Sequence, residues 1–255
     1  MMSHLYLTLP SNSSLQYFPE NTLSNFKTKL SQRINLVGEW EVGLYEIQYP
    51  RTWNNITEKE GRFRFRLAPG GPIFYGYVKP GKYDTCHHLV HAVNDVIREK
   101  EDGEKIVLSY STNTNRVYLF VNNGCKLWFD SELASILGFR SKNIFTGPIP
   151  FIEAEHVCDL NRGFYSLYCY CSLTSPVFVG DVQVSLLRIV PIDGKHGDMV
   201  TKTFQSIQYA PISSKDFDTI EIDIKDDIGN NVPFESGKVV VVLHLRLRRS
   251  PYLSS

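Results

Sequence analysis

The sequence carries no surplus of either charge. Twenty-seven Lys and Arg balance twenty-seven Asp and Glu in 255 residues, whereas a protein that coats nucleic acid through its phosphates needs a basic excess. Bulk nucleic-acid binding is therefore not expected, although a local basic patch stays open. Long hydrophobic runs are missing too: no stretch approaches the roughly 20 apolar residues of a membrane span. The opening Met1 to Pro10 lacks both the basic and the apolar parts of a signal peptide. Cysteine is scarce and odd in number: Cys86, Cys125, Cys158, Cys169 and Cys171 read as free thiols of a reducing compartment. Asn12-Ser13-Ser14 and Asn55-Ile56-Thr57 match glycosylation sequons, but without an export signal they read as turn residues.

Catalytic signatures are equally thin. There is no Gly-x-Ser-x-Gly elbow and no Gly-rich phosphate loop, and Pro69-Gly70-Gly71-Pro72 is a turn. Cys86, His87 and His88, with His91 one helical turn on, form the only dense metal-like group. No Cys-x-x-Cys partners it, so a helix start with a buried thiol and solvated histidines is the reading, and no metal or cofactor is assigned. A cupin-like metal enzyme would set histidines and a carboxylate on strands, whereas these open a helix.

What the chain does have is β-forming residues in period two. It is 42% hydrophobic, with 14 Tyr and 15 Phe. Ile220, Ile222 and Ile224 alternate with Glu221, Asp223 and Lys225, a half-buried strand. Turn residues around Gly229 lead to a second strand, Val239 to Leu247. Leu5, Leu7 and Leu9, then Phe26 to Leu30, then Trp40, Val42 and Leu44, then Phe63, Phe65 and Leu67, repeat the pattern, as do Tyr165 to Leu173 and Asp181 to Val190. Between the flanks the period changes. Cys86 to Lys100 has helical spacing, 105–110 and 116–121 are a hairpin, 126–129 a strand, and Asp130 or Ser131 caps a short helix ended by Gly138. The expected fold is mainly β: an antiparallel jelly-roll β-sandwich from 1–80 and 141–255, with a small α+β subdomain inserted at 81–140.

Three stretches carry a resemblance. They are Leu5 to Ser14 with Tyr17 to Phe26 and Ile34 to Pro50; Ser131 to Phe139; and Tyr209 to Ile212 followed by Phe217, Ile220, Ile222, Gly229, Phe234 and Gly237. Together and in order they resemble the minor capsid, or penton, protein of Polinton (Maverick) elements and adintovirus-like viruses. The resemblance implies a non-enzymatic jelly-roll subunit, a homopentamer at the fivefold vertices of an icosahedral virion made inside the host cell. Its partners would be its own copies and a double jelly-roll major capsid protein, with a host receptor or vertex fibre as further ones. The competing readings are a receptor- or glycan-binding β-sandwich and another capsid or vertex component of the same element.

A five-membered ring repeats one heterologous contact and favours aromatic and Arg anchors. The candidate contact residues are the alternating Arg62, Arg64 and Arg66, the strand tyrosines Tyr168 and Tyr170, and the closing Arg246, Arg248 and Arg249, with Tyr75 and Tyr77 as further exposed aromatics.

Overall fold

The chain enters as β1 (His4–Pro10), β2 (Asn25–Asn35) and β3 (Trp40–Pro50). It continues through β4 (Arg62–Arg66), β5 (Phe74–Tyr77), α1 (Cys86–Arg98), β6 (Ile106–Ser111), β7 (Arg116–Val121), β8 (Lys126–Phe129), α2 (Ser131–Leu137), β9 (Ile144–Thr146) and β10 (Ile149–Glu153). It returns as β11 (Ser166–Cys171), β12 (Val177–Val179), β13 (Val182–Val184), β14 (Leu186–Pro191), β15 (Met199–Thr203), β16 (Ala210–Pro211), β17 (Asp216–Lys225) and β18 (Val240–Leu247). These elements come from a computed structural model that describes residues 3–162 and 164–248. Arg249, one of the candidate contacts, lies outside the described residues.

Two antiparallel sheets form the first unit, residues 1–53 and 164–255. One runs β1-β18-β3-β15, with β16 also on β3; the other runs β14-β11-β17-β2. The chain passes between them in turn: β1 in the first, β2 in the second, β3 back in the first, β11 and β14 in the second, β15 and β16 in the first, β17 in the second and β18 closing the first. That wrapping is a jelly roll. The period-two residues set its core. Val42, Leu44, Leu243 and Leu245 from one sheet meet Phe26, Leu167, Cys169, Ile220, Ile222 and Ile224 from the other in a single buried cluster. On β3 the alternation changes phase. Val242 pairs with Glu46 but Leu243 with Leu44, so Tyr45 is the extra residue of a bulge. Even positions therefore face the core before it, and Ile47 and Tyr49 after it.

Residues 54–163 form the second unit, with a core of its own. It contains a sheet β5-β4-β8-β9 and a sheet β10-β7-β6. Thr85 caps α1, its side chain accepting from the His88 amide. Asn94 on α1 donates to the Leu108 carbonyl at 2.8 Å and accepts from the Leu108 amide at 2.9 Å. The edge strand β6 thus gains a buried substitute for a neighbouring strand. Gly138 closes α2 in the left-handed region, while Asp130, at the N-cap, makes no side-chain cap bond.

The boundaries differ from the expected 81–140. β4 pairs with β8, β9 with β8 and β10 with β7, so segments 54–80 and 141–163 fold with the helices and not with the sandwich. The strand expected over 181–190 is also divided. Val182 to Val184 pairs with Val177 to Val179 as a separate hairpin, and only Leu186 to Pro191 joins β11. The reason is burial: Leu187 and Val190 reach the core, whereas Val182 and Phe178 stay exposed.

Candidate interaction surfaces

The outward side of β1, β18 and β3 holds a cluster drawn from four parts of the chain. Register places Tyr6 beside His244 and His244 beside Gly43. The Tyr6 ring stacks on His244 with centroids 4.4 Å apart, and the His4 ring stacks on His244 at 5.3 Å. His244 Nε2 meets His4 Nδ1 at 3.2 Å, and His244 Nδ1 meets the Tyr209 hydroxyl at 2.6 Å. The Arg246 guanidinium lies 3.6 Å from the Tyr209 ring centre and donates to Glu41 at 2.9 Å. Arg248 is more exposed, 3.9 Å from the same carboxylate. A lysine-free concavity of about 620 Å³ opens beside this cluster, lined by His4, Glu41, Arg246 and Arg248.

A hydrogen bond between His244 Nε2 and His4 Nδ1 needs one N–H and one bare nitrogen. Were both rings charged, two N–H groups would face each other and the contact would break. Burial, then His4, then Arg246 push the His244 pKa below the ordinary histidine value. Protonation is thus harder in the folded than in the unfolded chain, so stability is full above the unfolded histidine pKa. It falls as pH drops from about 6.5 through the lower folded value. We expect the thermal midpoint to decline over that window, above the range where carboxylates titrate, and His244→Gln to flatten the decline. An unchanged slope in the variant would discount the cluster.

The second surface belongs to the inserted unit. β4 turns Phe63 and Phe65 inward and Arg62 and Arg64 outward, with Arg66 half-buried on the same side. Arg62 stands opposite Tyr77, and Arg64 stands between Tyr75 and Trp128. Of the candidate aromatics Tyr75 is the most open, at 81% exposed.

Tyr168 and Tyr170 lie elsewhere, half-buried on the outer side of β11. Their cross-strand partners on β17 are Lys225 and Asp223, which pair with each other at 3.3 Å. Farther along, Lys29 pairs with Asp218 and Arg33 with Asp216, both at 2.7 Å. This is a solvated face whose charges are already matched. The seven described candidates fall on three sheet faces, one within residues 54–163 and two within the sandwich.

The histidines of α1 do not converge. His87, His88 and His91 are exposed, and His91 pairs with Asp95 at 2.8 Å. Among the described residues no group of three or more metal-ligating side chains occurs. Asn55 is buried, bonded through its side chain to both backbone groups of Tyr83, so its sequon has a structural use. Sequence reasoning missed the His4–His244–Tyr209 chain of contacts. A lone histidine in an apolar strand gives no signal until register brings its partners across the sheet.

No protein-family model matches the chain, and no curated protein matches it. Solved structures do. The chain is similar to the mavirus penton protein, with 10% identity and a TM-score of 0.54, over 96% of this chain and 99% of that one. A chain in the structure of the Sputnik virophage aligns over 97% of this chain and 98% of its own, with 10% identity and a TM-score of 0.48. At such identity the mavirus likeness is one of fold: this protein has the mainly antiparallel, jelly-roll fold of a viral penton protein.

Proposed function

We propose that the protein is a structural capsid subunit, a penton of the Polinton and virophage kind. In this reading it works without catalysis, assembling as a homopentamer at the fivefold vertices of an icosahedral virion beside a double jelly-roll major capsid protein. The observation that carries this reading is the fold shared with a penton protein over nearly the full length of both chains. The balanced charge supports it, since a shell component does not have to neutralise a genome.

For the ring contact we propose the outward side of β1, β18 and β3. Exposed Tyr6 and Arg248 there, with half-buried Arg246, combine a ring and two guanidinium groups, the residue types that anchor interfaces. Tyr168 and Tyr170, half-buried on β11, present less open ring than Tyr6. Light scattering with negative-stain imaging tests the assembly. The expected species is a five-lobed ring of about 146 kDa, five copies of a 29.2 kDa chain. A trimer, or a monomer at every concentration, overturns the vertex assignment.

A further inference from the structure

The outer face of β5, β4 and β8 is basic within a chain of zero net charge. Arg62, Arg64 and Arg66 follow one another along β4, and Lys126 stands opposite Arg66. A carboxylate borders the Arg62 end, where Asp130 lines the surface. Asp130 follows β8, its amide bonded to the Arg62 carbonyl, and Arg62 Nε donates to the backbone carbonyl of Glu58. The Nε of Arg66 is buried and without a hydrogen-bond partner. Between Arg62, Arg64, Tyr75, Tyr77 and Asp130 lies a depression of about 410 Å³. Its floor is fixed from below: the Phe63 ring fills the space under Gly76, where an added Cβ would come within 2.4 Å of it.

We propose that this depression binds an anionic saccharide. The two arginines take the negative group, which suits their forked donors. The open Tyr75 ring stacks on the sugar, and the Asp130 carboxylate accepts from its hydroxyls. The volume, at the small end of ligand sites, fits about one or two sugar rings. An extended nucleic-acid strand fits less well, because it needs cations tracking a longer groove and would bring phosphates against Asp130 and Glu58. An acidic peptide would use the arginines but offer Asp130 single backbone amides in place of adjacent hydroxyls. The inference stands apart from the capsid reading, since it concerns the surface of residues 54–163 alone.

Calorimetric titration of the full chain tests it, with 3′-sialyllactose, a heparin-derived hexasaccharide, neutral lactose and an oligo-dT strand as probes. The expected result is binding of an acidic saccharide but not of lactose, with the first two probes separating carboxylate from sulfate preference. Arg62→Ala with Arg64→Ala should abolish the signal. Tyr75→Ala should weaken it about tenfold, the contribution of one stacked ring. These side chains are exposed, and an unchanged circular-dichroism midpoint verifies folding. Silence from both acidic saccharides, tighter binding of oligo-dT, or unchanged affinity in the double variant overturns the proposal.

Discussion

Gly43→Val should cost the jelly-roll unit about 3 kcal/mol, near the upper end for forcing volume into a packed site. Gly43 lies in β3, paired with His244. A Cβ there would fall 2.4 Å from Ile207 Cγ2 and 2.5 Å from the Gln208 carbonyl oxygen. The second contact is decisive, because a backbone oxygen cannot rotate away as a side chain can. The chain between β15 and β16 passes directly over Gly43 and then pairs Ala210 with Val42. Any side chain at position 43 has to lift that crossing. Lifting it withdraws Tyr209 from His244 and from Arg246, whose contacts are 2.6 Å and 3.6 Å. Two effects should therefore appear together in urea unfolding: a lower midpoint at neutral pH, and loss of the histidine-dependent decline as pH falls below about 6.5. Gly43→Ala meets the same oxygen and should fall between the two. If the valine variant lost less than about 1 kcal/mol, the crossing would have room that its geometry denies.

Much of the sandwich is legible in the sequence because a half-buried strand must alternate. Ile220, Ile222 and Ile224 face the core as their spacing requires. What alternation does not carry is partnership. Phe63 and Phe65 have the same pattern whether their strand joins the sandwich or the insertion. Only the pairing of β4 with β8 decides it, and that pairing leaves no local trace. Nor does alternation reveal a phase change: the bulge at Tyr45 moves burial from even to odd positions, and Gly43 two residues before it is the local sign in the sequence. The valines at 182 and 184 illustrate the converse, because apolar residues in register form a hairpin there without reaching a core. The alternation of Arg62, Arg64 and Arg66 with Phe63 and Phe65 sets the arginines on one side of β4. Their tyrosine neighbours became part of a site only once β5 was placed beside them.

Phe129→Ala should unfold the inserted unit selectively. Phe129 is buried among aromatic rings, with centroids of Phe145, Phe139 and Phe63 at 5.9, 6.0 and 6.4 Å. Truncating a phenylalanine so enclosed leaves a cavity that neighbouring rings cannot fill, at a cost of about 3–5 kcal/mol. The buried residues of 54–163 form one cluster and those of the sandwich another, so the loss should be confined. Hydrogen exchange should show amides of β4, β6, β7 and β8 exchanging faster, while β3, β17 and β18 keep their protection. The sandwich also has its own closure where the insertion leaves and rejoins it. Trp53 packs on Phe164 at 5.4 Å and on Phe234 at 5.8 Å, holding the two ends of the discontinuous unit together from within. Phe26→Ala is the reciprocal test, since Phe26 is buried in the sandwich core; it should release β2 and β17 and leave the insertion protected. Equal loss of protection in both units from either variant would mean that the chain unfolds as one cooperative body, and the two cores would then have to be energetically coupled despite their separate packing.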